Sequence, residues 1–395
     1  MSTDRFGGNG KLWDVVVVGA GPAGATAARV AAEAGCGVLL LERAAVPRYK
    51  TCGGGLIGCA QAHLPPGLGV TVRDEIDSVT FGLRGQRERT VSSTTEVRCK
   101  MVFRDELDAA LTKVAAEAGA EVRDRTTVAG LEDGAGEVVV RTADGERIRA
   151  RAVVGADGTA GRVSRHIGVS CEQVDLALEV EVPVDPRDAA KWRGRMLMEW
   201  GPLPGSFGWV FPKDDLCTAG VVAARGQGDA TRAYMREFLE RHGLAHLTPL
   251  HDTGHLTKCR RPDSPLARGR TVVAGDAAGL CDPWSREGIS FALRSGAWAG
   301  EAAAAIARVV HPVDLGRARD TYTAAVLSTL GAEMRASRKV MDVFTRRPGI
   351  VHTALTAVPP VWRRVDSYLG GDTTIPALLG TPVARVALKA VGLFT

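Results

Sequence analysis

The stretch DVVVVGAGPAGATAARVAAEAGCGVLLLE, residues 14–42, decides the fold. It opens on Asp14-Val-Val-Val-Val-Gly19, an apolar, β-branched run that reads as a strand buried on both faces. A glycine-rich turn follows, then an alanine-dominated helix over 25–34, then Gly37-Val-Leu-Leu-Leu-Glu42 as a second buried strand. This is a βαβ unit, and its parallel strands require a crossover that is nearly always right-handed. Within it, Gly19-Ala-Gly21-Pro-Ala-Gly24 is G-x-G-x-x-G placed between strand and helix. Gly19 makes the tight turn, Gly21 lets backbone approach a pyrophosphate, and Gly24 permits close helix packing. The helix N-terminus meets the phosphate charge and the Glu42 carboxylate takes ribose hydroxyls, so the unit reads as a dinucleotide site.

The whole chain is compatible with a bulky buried ligand. Its 395 residues, 45% hydrophobic and 24% charged, are ordinary for a globular protein with one composite domain or a few smaller ones. The net charge of +5 comes from Lys and Arg spread along the chain, so nucleic acid is not an expected partner. The eight cysteines contain no C-x-x-C pair and no His/Cys cluster at ligand spacing, so no metal site is expected and reduced thiols in the cytoplasm are the simplest reading. Residues 1–12 lack the apolar core of a signal peptide, and no run of about 18 apolar residues is present. The tail Val383–Phe394, apolar with two basic residues, is a candidate for peripheral contact with an anionic membrane surface.

Further along, residues 75–100 read as short antiparallel strands and Phe103–Gly119 as a helix with one buried face. A hairpin turns at Ala143-Asp144-Gly145 and leads into Ala152-Val-Val-Gly-Ala-Asp157. Residues 170–225 alternate polar and apolar and hold many of the aromatics, which predicts a separate antiparallel sheet. Buried-strand grammar returns at Thr271–Asp276, followed by a helix from about Glu287 to Val310. The fold class is therefore α/β, with a Rossmann-type domain assembled from residues 1–75, 100–168 and 268–312. An antiparallel-sheet domain is inserted, from 76–99 and 169–267. Residues 313–395 read as helical, with breaks at Pro348-Gly349, Pro359-Pro360 and Gly370-Gly371.

Gly155-Ala-Asp-Gly158 and Gly275-Asp276 resemble the paired motifs of glutathione-reductase-like FAD proteins, in the branch that holds aromatic hydroxylases and geranylgeranyl reductases. Pro47-Arg-Tyr-Lys-Thr-Cys-Gly-Gly-Gly55, Phe207-Gly-Trp-Val-Phe-Pro212 and Gly275–Ile289 are similar, more narrowly, to segments of the geranylgeranyl reductases. The resemblance spans residue 14 to about 300 and implies FAD as cofactor. It assigns Arg43, Asp157 and Asp276, Arg104 in Arg104-Asp-Glu-Leu-Asp108, Val128, Gly288 and Ile289 to FAD contacts, with the Gly288 end of the following helix aimed at the flavin. Cys52, Gly53 and Gly55 come beside the flavin, where consecutive glycines admit a flat ring. Phe207, Trp209 and Phe211, which share one face of a strand, become the substrate wall. Two departures stand out: Phe207 replaces a tyrosine and Arg286 a commoner glycine.

The resemblance implies reduction of an isoprenoid C=C bond, with NAD(P)H, ferredoxin or another donor as external reductant. An unactivated alkene needs proton delivery nearly concerted with hydride arrival. Cys52 is the candidate acid or gate, or it only shapes the flavin's edge. The alternative is an FAD-dependent monooxygenase acting on a hydrophobic natural product, and a flavin-bound sensor without turnover is a third reading.

Overall fold

The computed structural model describes residues 11–93 and 98–381. Leu12–Val18 lies at the centre of an eight-stranded sheet, parallel to Val38–Leu41 on one side and to Arg147–Gly155 on the other. Val16 faces Leu39 and Val153 across these pairings, so the most apolar runs of the chain lie side by side. Val15, Val16 and Val17 are fully buried, as strands covered on both faces must be. The sheet extends to Glu121–Arg123 at one edge and, through Thr271–Val273, to Ala267–Arg268 at the other, which joins sequence-distant segments into one α/β fold.

The first helix is Pro22–Glu33, with Pro22 in the opening turn where its missing N–H leaves nothing unpaired. Against it lies Ile289–Ala307. A Cβ on Gly296 would come within 2.4 Å of the Ala23 carbonyl oxygen, and one on Gly300 within 2.6 Å of that of Ala27. These pairings run in the same direction, so the helices are parallel and their N-termini, at Gly21 and Gly288, face the same end of the fold.

The second sheet has the strand order His251–Arg260, Cys171–Pro183, Leu216–Ala224, Phe207–Lys213, Arg195–Trp200, Ser78–Leu83, Gln86–Ser92. It is antiparallel except between Arg195–Trp200 and Ser78–Leu83, which run parallel. Those strands come from separate segments of the chain, and without a hairpin between them nothing imposes the antiparallel sense. One face carries Phe81, Met196, Trp200, Phe207, Trp209 and Phe211. The other packs Leu197, Val210 and Val221 against Tyr234 and Phe238 of the helix Gly228–Arg241, which the alternating pattern does not foreshadow.

The C-terminal region is helical as expected, over Pro312–Ser328, Leu330–Arg346, Pro348–Ala357, Pro359–Leu369 and Ile375–Leu379. Pro348 and Pro359 each open a helix, where proline fits the first turn. The first of these helices joins the main core through Tyr322, whose hydroxyl donates to the Val273 carbonyl at 2.6 Å. The next three close over the aromatic face of the second sheet through Phe344, Leu355 and Trp362. No described helix is long and apolar enough to cross a membrane. The tail Val383–Phe394, considered above for membrane contact, lies outside the described residues.

Candidate active site

A cavity of about 770 Å³ is lined by residues of both sheets and of the C-terminal helices. Every residue singled out above as cofactor- or substrate-facing lines it, except Gly24. Gly24 serves packing instead, since a Cβ there would sit 1.8 Å from the Gly19 carbonyl oxygen. Gly19 itself has φ +102°, and a side chain would strike the Ala156 carbonyl at 2.3 Å. Around Gly21, by contrast, only an Arg48 Nη2 lies within reach of a virtual Cβ, at 3.7 Å. The turn is closed on its protein side and open on its cavity side.

Glu42 is held in place before any ligand arrives. Its Oε2 accepts the Ala20 backbone N–H at 2.9 Å and its Oε1 accepts that of Ala44 at 3.1 Å. Arg48 approaches Oε2 at 3.4 Å and reaches Asp108 with its other arm at 3.1 Å. Arg104 chelates the same Asp108 through two hydrogen bonds of 3.0 and 2.9 Å. Burial alone would weaken the Arg104 charge, but Asp108 and the nearby Cys52 thiol outweigh it and the guanidinium is held firmly protonated. Arg43, Val128, Arg162 and Arg165 also line the cavity.

The two paired-motif aspartates do different work. Asp157 turns its Oδ2 to the backbone N–H of Val163 at 3.0 Å, shaping the turn into the helix Arg162–Ile167. Asp276 faces His255, with Nε2 3.7 Å from Oδ2. Burial would raise its carboxyl, yet His255, Lys50 and Arg104 hold it below the usual carboxylate range. A Cβ on Gly288, which opens the helix Ile289–Ala307, would lie 3.5 Å from Asp276 Oδ1. That helix end and an ionised acid thus meet at the cavity wall.

The loop Cys52–Gly55 separates this polar cradle from an aromatic wall. Gly53 lies flush against the wall: its virtual Cβ is 2.7 Å from Phe211 ring atoms and 3.4 Å from Trp209 Nε1. Trp209 is seated over Gly220, where a Cβ would come 2.3 Å from its ring. The rings of Phe207, Trp209 and Phe211 follow one another at 6.0 and 6.4 Å, all on one face as expected from the alternation. Arg286, which also lines the cavity, binds Asp175 at 2.9 Å, both side chains being 5% exposed. Its φ of +58° explains why glycine is common at that place in the resembling family.

Several lining residues were not signalled by motif. Glu179 contributes an acid from the strand Cys171–Pro183, and Met196, Met198 and Trp200 extend the apolar wall. Trp200 and Trp209, 3% and 7% exposed, leave their indole N–H groups without a partner among the described residues. Leu355, Val365, Tyr368 and Leu369 close the compartment from the C-terminal helices. The break pattern near Pro348 and Pro359 was visible in the sequence, but nothing there placed those helices at the cavity.

Comparison with known proteins matches residues 13–309 to a family model described as an FAD binding domain. Digeranylgeranylglycerophospholipid reductase of Methanocella arvoryzae is 30% identical over 366 residues, covering 85% of this chain and 88% of the relative. The chain belongs to the geranylgeranyl reductase family. Among solved structures, a geranylgeranyl bacteriochlorophyll reductase-like protein from Thermoplasma acidophilum superimposes with a TM-score of 0.71 at 22% identity, over 91% of this chain and 99% of that one. A flavin-dependent brominase gives 0.74 at 19% identity, over 97% of this chain and 99% of its own. At such identities these two matches speak for the fold alone. This family member is an FAD-dependent enzyme, and its residues suit the cofactor. The open side of the Gly19–Gly24 turn, the N-terminus of the helix Pro22–Glu33 and several cavity-lining cations suit a dinucleotide's pyrophosphate.

Proposed function

We propose that this enzyme reduces C=C bonds of an isoprenoid substrate. The observation that carries the reading is the continuity of one cavity from the dinucleotide cradle to the wall of Phe207, Trp209 and Phe211. An isoprenoid chain offers little but apolar surface, and an aromatic compartment closed by helices buries it and excludes water. FAD, once reduced by NAD(P)H, ferredoxin or another donor, supplies the hydride. On this reading Gly19, Gly21, Glu42, Arg43, Arg104, Val128, Asp157, Asp276, Gly288 and Ile289 hold the cofactor, with Gly24 packing its helix. Cys52, Gly53 and Gly55 form the boundary between cofactor and substrate, and Cys52 belongs to the reacting region as acid or as wall. The relatives named for isoprenoid reduction support the choice of substrate class.

The test is an anaerobic single turnover of the reduced holoenzyme with a geranylgeranyl lipid. Reoxidation of the flavin, with a product that has gained two hydrogens per double bond, is the expected result. A product that forms only in oxygen and carries one added oxygen atom would replace this reading with a monooxygenase.

A further inference from the structure

Glu179 is a buried acid of the cavity that neither the motifs nor the reaction outlined above employs. It is 1% exposed and lines the cavity from the strand Cys171–Pro183. Its Oε1 accepts the Cys52 backbone N–H at 2.8 Å, and among the described residues no hydrogen-bond donor reaches Oε2. Glu181 neighbours it on the same strand, Lys213 faces it from the strand Phe207–Lys213, and Lys50, Tyr49 and Cys52 face it from the loop. His251, on the strand beyond, lies 4.0 Å from Glu181. Lys213 is itself 1% exposed and sits 3.9 Å from Glu181 Oε1.

The cluster of Glu179, Glu181 and Lys213 has more carboxyls than ammonium groups, and a second buried carboxylate beside one ion pair is costly. Burial pushes the Glu179 carboxyl up to about 7, helped by Glu181, while Lys213, the Cys52 N–H and Lys50 pull the other way. Glu179 therefore keeps a proton where an exposed carboxylate has lost it.

We propose that Glu179 is the acid that protonates the substrate, its carboxyl held at the cavity by the Cys52 amide. The inference rests on the reductase reading. Reduction breaks the π bond and makes two C–H bonds: one carbon takes the hydride, with its electron pair, from the reduced cofactor, which is oxidised. The other carbon takes the Glu179 proton. The carboxylate left behind is compensated by Lys213 and Lys50 until solvent returns a proton. Cys52 is then a positioning residue, acting through its backbone.

Glu179→Gln keeps the acceptor for Cys52 N–H and removes the proton. In the resting holoenzyme, the wild type is expected to show one protonated-carboxyl infrared band titrating near neutral pH that E179Q lacks, beside that of Glu287, whose carboxyl burial also raises to about 7 and which both proteins share. In anaerobic single turnover with the geranylgeranyl lipid, the wild-type rate falls as pH rises past that titration. The E179Q rate is lower by roughly 10²-fold or more and flat with pH, with FAD retention and reduction by the donor unchanged. Glu181→Gln, which lies off the cavity, is expected to move both the band and the rate limb to lower pH, because it removes the charge that raises Glu179. An E179Q rate and pH profile equal to wild type, or an infrared spectrum untouched by either substitution, overturns the proposal. Should the wild type fail to reduce any geranylgeranyl lipid, the reductase reading falls and the acid role with it, and the infrared titration still reports whether Glu179 stores a proton.

Discussion

Replacing Gly53 by alanine tests whether the cofactor loop and the aromatic wall are fitted to each other. The new methyl would lie 2.7 Å from two ring carbons of Phe211. That is well inside the ~3.5 Å at which carbon atoms rest. Phe211 is 8% exposed, and its neighbour Trp209 is pinned over Gly220, so the wall has little room to retreat. The loop must then shift toward the cofactor by most of an ångström. Overpacking of this kind costs about 1–3 kcal/mol, equivalent to roughly 5- to 150-fold in FAD affinity if the loop moves, or to lost thermal stability if the wall does. Gly55→Ala is the matched control, because its methyl would meet Cys99 Sγ at 3.3 Å and the flexible Ile57 side chain at 3.4 Å. Fluorescence titration of the apoproteins with FAD, together with thermal melts, reads both effects. A G53A protein with wild-type affinity and melting temperature, or a G55A protein that suffers more, would refute the fitted-interface argument.

The same geometry yields three further expectations. Glu42→Ala strands the buried Ala20 amide, at about 1–3 kcal/mol, and frees the half-buried Ala44 amide, so apoprotein titration should show FAD affinity lower by tenfold or more, and an unchanged affinity would remove Glu42 from the site. Arg286→Gly relieves a left-handed backbone worth about 1–2 kcal/mol but leaves the buried Asp175 without its arginine, a loss of about 3–5 kcal/mol. The deficit should win, lowering the melting temperature, and Asp175→Asn in the R286G background should recover part of it. Finally, the Glu179 carboxyl stands at about 7 in the fold against an ordinary 4.5. Between those values the folded state binds the extra proton, so its contribution to stability is present below pH ~4.5 and is lost as pH rises through ~7, about 3 kcal/mol in all. Denaturant titrations of the holoenzyme should show this decline, and E179Q should make it shallower, leaving the share of Glu287, whose carboxyl burial also raises to about 7.

The cofactor half was legible because its signals are local. Strand, glycine turn, helix and Glu42 lie within 14–42, although the carbonyl that closes in on Gly19 belongs to the distant Ala156. The aromatic wall was legible for the same reason, as three side chains at alternate positions of a single strand. Glu179 was not, and the physical reason is instructive. Leu178-Glu-Val-Glu-Val182 alternates in the manner of a strand with one wet face, yet both faces of this strand are covered, so its charged face is dry. Lys213 was hidden likewise, being 1% exposed at the end of the Phe207–Lys213 strand. The signal that identifies such residues is the partner across the sheet, and pairing between separate segments cannot be read from one strand's pattern. Arg104 was legible as a cavity residue through the resemblance, whereas its bidentate grip on Asp108, one helical turn away, emerges only in the fold.

The wall supplied by Leu355, Val365 and Leu369 sets an order on the birth of the enzyme. Residues up to 309 carry the whole matched cofactor domain, and a ribosome delivers them first. A growing chain can thus acquire its dinucleotide while the apolar compartment still lacks its last side. Until the helices Pro348–Ala357 and Pro359–Leu369 arrive, the aromatic face of the second sheet is bare. Anything that delays or clips those helices would leave the apolar half of the cavity open to water on the side they cover.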